Sequence, residues 1–316
     1  MANSTLTLKR HELWAFQYRS RRYLQHTTDP GLKQRFCDVM TNLTTLTAAG
    51  QIGPLLPEHG GASWMELFTH LMEEYKLRNQ PFPHRILEGA VLPKPTFPSH
   101  PAAQGLVEKL KPFIQRPYVL KLGKARYLRE SFETGVWRIS PASTYSDPSL
   151  NFAQRDSELE LTTFTLKSEI KLHIQDKITG ELKTEIKPIG DIAVTSRSIT
   201  DYYAGCFSKK LDLRLFDDFE ADCCILIIDY AEFARRMFEA FKRWEPDWEG
   251  YFTDVSYLDP YNCKRDQIDL FFAKHFRYSY QHEVRFVWLP KEPRHNLDHI
   301  FVNLGDIKDI CIFATL

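Results

Sequence analysis

The sequence of 316 residues carries 41 basic and 41 acidic side chains, so its formal net charge at pH 7 is zero. A dedicated nucleic-acid binder usually has a basic excess, so this balance argues against that class but leaves room for a local basic groove. Hydrophobic residues make up 43% of the chain and aromatic residues 13%, which supplies a substantial core and argues against global disorder. This length accommodates one large domain, or one domain with a helical extension.

The N-terminus and the cysteines indicate the compartment. MANSTLTLKRHELWAF lacks the apolar run of a signal peptide, and no uncharged apolar stretch approaches the roughly 20 residues of a membrane helix. The six cysteines contain no CxxC pair, and Cys223 and Cys224 lie in the apolar segment DCCILIID. We therefore expect a cytoplasmic protein with free thiols and no membrane contact.

The N-terminal third is predicted to be helical, with helices over residues 8–26, 31–49 and 63–78. Gly50 would end the second helix, and Ser63 would cap the third, with Glu66 at the capping-box position. Eight prolines between residues 80 and 117 then favour an extended connection. We place a domain boundary there, between a helical region with a proline-rich linker (residues 1–115) and a catalytic α+β domain (residues 116–316).

The second part mixes short strands with a few helices. This pattern favours an α+β fold with a mixed, largely antiparallel sheet over a doubly wound parallel sheet. Strands are predicted over 118–122, 136–140, 159–168, 169–176, 202–207, 223–229, 284–289, 300–304 and 309–314, and helices over 102–111, 124–134, 231–244 and 266–275.

The most informative stretch is FFAKHFRYSYQHEVRFVWL, residues 271–289. In an extended chain, alternate side chains share a face, so Gln281, Glu283 and Arg285 would point one way and the apolar residues between them the other. On an exposed face this triplet would be a ladder of little energetic consequence. At the mouth of a cleft, Glu283 could bond a ribose hydroxyl and stabilise a cationic sugar while Gln281 orients a nucleophile.

Other polar groups support alternative functions. Asp147, Asp156 and Glu158 lie close together in sequence and could bind a divalent ion in a nuclease or phosphodiesterase, although Asp147-Pro148 is also an ordinary turn. Arg19, Arg21 and Arg22 form the strongest basic cluster and would matter most in a non-enzymatic module that binds nucleic acid or protein. His295 and His299 read as surface histidines of a loop, and we expect no bound metal. Glycine-rich phosphate loops and the HExxH and GxSxG motifs do not occur in the sequence.

Three blocks resemble a bacterial family catalogued as domain of unknown function 2971. They are RISPASTYSDPSLN (138–151), AGCFSKKLDLRLFDDF (204–219) and AKHFRYSYQHEVRFVW (273–288), and Gln281 stands where that family usually has an acid. The resemblance covers roughly residues 118–316. It implies an antiviral defence or toxin role in bacteria.

A second resemblance is to ADP-ribosyltransferases, carried by YVLKLG, KARYLRESFET, Gly135, VWRISPAS and QHE in that order. It implies that NAD is the substrate, that Glu283 is the catalytic acid and that Gln281 is its partner. On the cofactor side it implies four residues, Lys121, Arg126, Ser140 and Ser143. The first strand departs from the family, which has arginine or histidine where this chain has Lys121.

These resemblances lead to one preferred hypothesis. The chain is predicted to be a transferase that cleaves the nicotinamide–ribose bond of NAD, with a nucleic acid or protein as acceptor and the N-terminal helices selecting the target. The non-enzymatic binding module and the metal-dependent nuclease remain the alternatives.

Overall fold

The computed structural model describes residues 8–46, 51–82, 85–94, 101–264, 266 and 268–316. Its N-terminal third is helical, as predicted, with a short hairpin between the second and third helices. The elements are α1 (Arg10–Ser20), α2 (Asp29–Leu43), β1 (Thr44–Leu46), β2 (Ile52–Pro54) and α3 (Gly61–Leu77).

The helix ends differ from the predicted ones for local reasons. Ser63 does not cap α3, because the helix begins two residues earlier, after Gly60 at φ 93°, and the Ser63 hydroxyl donates to the Gly60 carbonyl. The Thr28 hydroxyl instead caps α2 by accepting the Gly31 N–H at 3.3 Å. The predicted helix end at Gly50 lies outside the described residues.

The N-terminal helices share an apolar cluster with the rest of the chain. Leu32 and Phe36 of α2 pack with Leu71 of α3, and Leu166 and Phe276 belong to the same cluster. The predicted domain boundary near residue 115 stays a prediction, and the apolar contacts described here run across it.

The remaining elements follow in chain order. They are α4 (Pro101–Leu110), β3 (Val119–Gly123), α5 (Ala125–Thr134), β4 (Val136–Pro141), β5 (Glu160–Thr165), β6 (Leu172–Gln175), β7 (Leu182–Ile186), β8 (Ile192–Arg197), β9 (Tyr203–Ser208), α6 (Leu213–Asp218), β10 (Cys223–Ile227), α7 (Tyr230–Trp244), β11 (Trp248–Asp254), β12 (Ser256–Leu258), β13 (Ala273–His275), β14 (Glu283–Pro290), β15 (Ile300–Asn303) and β16 (Cys311–Thr315).

An eight-stranded sheet organises this part, with strand order β11-β14-β9-β3-β10-β16 and with β4 and β15 joined to it through β9. Every pairing within it is antiparallel. Strands β5 and β8 form a separate two-stranded antiparallel sheet that encloses the β6–β7 hairpin in sequence, while β12 and β13 pair in parallel. The predicted α+β fold with a mixed, largely antiparallel sheet is confirmed.

The two faces of the sheet are covered differently. Val284, Phe286 and Trp288 of β14 point to one face, where they pack against α7 in the largest apolar cluster. Near β3 and β10, the other face packs against α4 and α6. Near β9 and β14, that second face instead carries buried polar side chains, which form the candidate site.

Some elements were predicted wrongly or missed. Residues 273–275 form β13 and not the end of a helix, and residue 267 of that predicted helix lies outside the described part. Strands β7, β8 and β11 were missed because few of their side chains are buried, so no apolar pattern marks them. Among the residues described, no helix combines the length and the apolar character needed to cross a bilayer.

Candidate functional site

Glu283 begins β14, which lies between β11 and β9. The predicted alternation is confirmed for the strand itself, because Val284, Phe286 and Trp288 join the apolar cluster beneath α7, whereas Glu283 and Arg285 lie on the opposite face. Gln281 is not part of this strand. It ends a 3-10 helix, Phe276–Gln281, and His282 at φ 47° turns the chain into β14.

Gln281 nevertheless meets Glu283 through a shared cation. The Lys274 ammonium donates to Gln281 Oε1 at 3.3 Å and to Glu283 Oε2 at 2.9 Å. The Gln281 amide also donates to the Ala153 carbonyl at 2.8 Å. Because Gln281, Glu283 and Arg285 are all buried, the interpretation of these three residues as an exposed ladder is wrong.

A second cation holds the other oxygen of Glu283. Arg285, which is 0% exposed, donates from Nε to Glu283 Oε1 at 2.9 Å and contacts Glu158 Oε2 through Nη1 at 2.7 Å. Lys274 also lies 3.6 Å from Glu158 and 3.7 Å from Asp156. Three carboxylates therefore surround two cations in a buried cluster, which we call the Glu283 cluster: Asp156, Glu158, Lys274, Glu283 and Arg285.

The pKa values of the two buried carboxylates, Glu158 and Glu283, are shifted in opposite directions. Burial raises the pKa of Glu283, but Arg285 and Lys274 outweigh it and hold that pKa below its ordinary value. Burial also raises the pKa of Glu158, and there the same cations do not compensate, because Asp156 and Glu283 add negative charge nearby. When their environments shift the pKa values of two neighbouring carboxylates in opposite directions, the one with the lower pKa stays ionised and the one with the higher pKa is the better proton acceptor.

The N-terminal helices support the segment that carries Gln281. Asn42 at the end of α2 donates to the Arg277 carbonyl at 2.9 Å and accepts the Tyr280 N–H at 2.8 Å. Arg35 of α2 lies 5.0 Å above the Phe276 ring and pairs with Asp259 at 2.7 Å. The helical region therefore helps to position the 3-10 helix that ends at Gln281.

Cys206 and Tyr145 border the Glu283 cluster on the β9 side. Cys206 is the register partner of Arg285, and its Sγ lies 4.0 Å from Tyr145 Oη. Burial, followed by the negative charge of Glu283, raises the pKa of the Cys206 thiol to about 12. Both residues are only partly buried, as is Asp156 within the cluster itself.

Lys121 lies on the other face of the sheet. Its register partner, Ile225, belongs to the apolar cluster beneath α7, and its ammonium lies 5.3 Å from the Phe207 ring of the same cluster. The ammonium donates to the Cys206 carbonyl at 2.9 Å, close to the point where β3 and β4 diverge along β9. Lys121 thus satisfies a backbone acceptor where the sheet splits, and it does not face Glu283 from within the cluster.

The other predicted cofactor-side residues are dispersed. Ser140 pairs with Ala204 and shares the sheet face of Arg285. The Ser143 hydroxyl donates to Asp201 at 2.5 Å. Arg126 is exposed on α5, with its guanidinium 4.7 Å above the Tyr127 ring. The structure therefore brings Gln281 and Glu283 together, leaves Ser140 on the same face, and places Lys121 and Arg126 elsewhere.

The acidic residues proposed for a metal site also separate. Asp147 is exposed, and its carboxylate accepts the Ser149 N–H at 2.8 Å, as the turn interpretation predicts. Asp156 and Glu158 belong to the Glu283 cluster, where Lys274 lies between the carboxylates. Within the described residues, no group of three or more histidine, cysteine or acidic side chains is arranged to hold a metal ion.

The basic cluster of α1 and the residues after it is largely neutralised. Arg19 pairs with Glu73 at 2.6 Å, Arg21 with Glu169 at 3.0 Å, and Arg22 with Glu74 at 2.9 Å. These pairs reduce the positive charge available to a phosphate backbone, so they weaken the interpretation of this face as a nucleic-acid surface.

Sequence reasoning did not assign roles to Lys274 and Arg285 and gave Glu158 to a metal site. Lys274 lies nine residues before Glu283, and Glu158 more than a hundred, so neither shares a local pattern with it. One sequence feature could have indicated their roles: Lys274, Arg285 and Glu158 each lie in or next to an apolar segment. An ionisable side chain in such a segment is buried only when it has a partner of opposite charge.

Comparison with known proteins gives no relative: no protein-family model, no curated protein and no solved structure matches this chain.

Proposed function

We propose that the protein is a cytoplasmic NAD-consuming transferase resembling ADP-ribosyltransferases, with the ionised Glu283 as its catalytic carboxylate. One observation carries the proposal: Glu283 is kept ionised on a central strand, beside Gln281 and beside a second carboxylate of raised pKa. A bacterial defence or toxin role belongs to the same proposal and rests on the family resemblance alone.

The proposed reaction follows from these charges. The bond between ribose C1′ and the nicotinamide nitrogen breaks, and nicotinamide leaves with the electron pair. The resulting oxocarbenium-like sugar is stabilised by the Glu283 carboxylate, because opposite charges interact strongly in a site of low dielectric. The acceptor oxygen or nitrogen then bonds to C1′, and Glu158 takes the acceptor proton.

Substrate would compete with Lys274 and Arg285 for Glu283, because each carboxylate oxygen already accepts a hydrogen bond from one of these cations. Lys274 is the contact best suited to move, since its ammonium already lies within 4 Å of Glu158 and Asp156 and can stay paired with them. Arg285 is fixed further by its bond to the Phe271 carbonyl at 3.0 Å. In this proposal Ser140, on the same sheet face, remains on the cofactor side.

The test compares Glu283→Gln with Glu74→Gln. Both replace a buried carboxylate held by cations, but Glu74 lies in the N-terminal helices. Released nicotinamide is measured by chromatography with the full-length proteins and NAD. We expect turnover by the parent and by Glu74→Gln and none by Glu283→Gln; normal turnover by Glu283→Gln, or none by the parent, would contradict the assignment.

One second candidate, a metal-dependent phosphodiesterase, is kept from the sequence because Asp156, Glu158 and Glu283 surround one cation, the Lys274 ammonium, although the described acidic side chains are not arranged to hold a metal ion. A divalent ion would have to take the position of the ammonium between these carboxylates. Cleavage of DNA or RNA that requires Mg²⁺ and is lost in Asp156→Ala, together with no nicotinamide release, would favour this candidate over the transferase.

A further inference from the structure

A cavity of about 290 Å³ lies on the face of the sheet away from Glu283, between the end of α7 and strands β11 and β14. Its volume is close to the range of small-molecule sites, and aromatic side chains form much of its wall. They are Phe238, Phe241, Trp248 and Trp288. The Phe241 and Trp288 rings are stacked with centroids 4.6 Å apart, so part of the wall is a rigid apolar surface.

One buried donor at this wall lacks an acceptor. Trp288 is 1% exposed, and among the described residues its indole Nε1 has no hydrogen-bond partner. Buried polar groups are nearly always paired, so an unpaired indole N–H on a cavity-lining residue needs an explanation. A ligand that accepts a hydrogen bond would provide one.

Gly250 marks where such an acceptor could approach. It is the register partner of Trp288, it lines the cavity, and a Cβ at this position would lie 3.1 Å from Trp288 Nε1 and 2.6 Å from a Phe238 ring carbon. Glycine within a strand often marks the close approach of a ligand or of another chain segment. Because Gly250 has no side chain, only the Phe238 ring packs beside the indole edge here and covers its N–H.

The charges at the rim select the type of ligand. Lys291 is paired with Asp247 at 3.1 Å. Glu249 also contributes to the cavity lining, but its side chain accepts the Tyr251 hydroxyl at 2.7 Å and points to the opposite side of β11 from Gly250. Lys242, on the last turns of α7, is exposed and forms no ion pair with any described residue. An anionic group entering this cavity would thus meet an unneutralised ammonium.

We propose that this cavity is a binding site for a small aromatic carboxylate, which is a different site from the Glu283 cluster. The ring of the ligand would stack on the aromatic wall, and its carboxylate would pair with Lys242 while accepting the Trp288 N–H. The Phe238 ring has to turn aside to expose that N–H, since it packs against Gly250.

The test follows the indole N–H signals of the full-length protein by NMR, with phenylacetate as the probe and phenylacetamide as its neutral match. The chain has six tryptophans, and Trp288→Phe identifies the Trp288 signal. We expect a saturable shift of that signal with a dissociation constant below about 1 mM. Phenylacetamide should bind about tenfold more weakly, because it lacks the charge that meets Lys242.

Two variants complete the test. Lys242→Gln, on an exposed helix surface, should weaken phenylacetate binding about tenfold and leave phenylacetamide unchanged, whereas Lys308→Gln, outside the cavity, should change neither. Gly250→Val should abolish both shifts. The site is refuted if the Trp288 signal does not move at about 10 mM phenylacetate, or if Lys242→Gln leaves the affinity unchanged.

Discussion

Glu74 in the N-terminal helices and Glu283 in the sheet are both buried carboxylates held by cations, but their surroundings differ. Glu74 accepts bonds from Tyr18, Arg22 and Arg78, and these two arginines keep 30% and 15% of their side chains exposed. Arg78 also donates to three backbone carbonyls, which ties the end of α3 to the loop after α1. Glu74 is thus one acid fully engaged in holding helices together.

The Glu283 cluster has more acidic than basic side chains, and its cations are less exposed to solvent than those around Glu74. The side chains of Lys274 and Arg285 are 5% and 0% exposed, and Glu158 and Asp156 add carboxylates that two cations cannot fully neutralise. A structural clamp needs no surplus acid, because every uncompensated buried charge destabilises the fold. The surplus is therefore the feature that distinguishes a candidate catalytic site from a structural ion pair.

Removing the central arginine of each cluster should have the largest effect. Arg285→Met leaves two buried carboxylates with Lys274 alone, and we expect it to lower the free energy of unfolding by about 3–5 kcal/mol. Arg78→Met should lower it by about 1–3 kcal/mol, because Glu74 keeps Arg22 and Tyr18. Urea denaturation measures both.

The same experiment has an internal control. Adding Glu158→Gln to Arg285→Met removes one of the uncompensated charges, so the double variant should be more stable than Arg285→Met. If the double variant is less stable, packing and not charge determines the loss, and the contrast between the two clusters fails.

Asn42→Ala should have the next largest effect, because it removes the link between the helices and the Gln281 segment. It leaves the buried Tyr280 N–H without its acceptor, and we expect a loss of about 1–3 kcal/mol in stability together with reduced NAD turnover. A stable variant with unchanged turnover would show that the helices do not position Gln281. Thr69→Ala, which removes a hydroxyl bond within α3, is the matched control and should leave turnover unchanged.

The pH dependence of stability offers a smaller effect. Burial, together with Arg277 and Arg35, lowers the pKa of His275 to about 3, so the ring stays neutral in the fold and becomes protonated on unfolding at mildly acidic pH. Its contribution to stability is complete above about pH 6.5 and is lost as the pH falls toward 3, by roughly 1 kcal/mol per pH unit. Asn at this position can still cap the 3-10 helix by accepting the Arg277 N–H.

The measurement compares the parent with His275→Asn. As the pH is lowered from 6 to 4, the parent should lose more unfolding free energy than the variant, so the variant becomes more stable relative to the parent. His70, whose pKa is lowered to about 4 chiefly by burial, serves as the equivalent group in the N-terminal helices. Parallel stability curves for parent and variant would contradict the burial of a neutral His275.

Arg126→Gln should have the smallest effect. The side chain is exposed and lies over Tyr127, so we expect a change within about 0.5 kcal/mol in stability and no change in NAD turnover. A large loss of turnover would restore Arg126 to the cofactor side, as the resemblance to ADP-ribosyltransferases implies.

The α+β fold could be predicted because the buried strands of the sheet carry strong apolar patterns, as in Cys223–Ile227 and Glu283–Pro290. Alternation alone placed Glu283 and Arg285 on one face. The same alternation did not predict the position of Gln281, because the positive φ of His282 interrupts the strand and no local sequence pattern marks that turn.

The assembly of the site could not be predicted, since it depends on pairing between distant segments. Lys121 was assigned to the cofactor side by the resemblance to ADP-ribosyltransferases, but which face of the sheet it occupies depends on the register of β3 with β10 and β9. Shifting a strand by one residue exchanges its two faces, so only the three-dimensional pairing settles such an assignment. Glu158 reaches Glu283 for the same reason, through contacts that no short motif records.

The shared apolar cluster of the N-terminal helices has a consequence for synthesis. Leu71 and Phe276 pack in one cluster, so about two hundred residues separate parts of the same core. At cellular elongation rates of roughly 5–20 residues per second, the early helices leave the ribosome on the order of 10–40 s before Phe276 is made. During that interval the part of their apolar cluster that packs on Phe276 is uncovered, so we expect nascent chains to depend on holding chaperones until translation is almost complete.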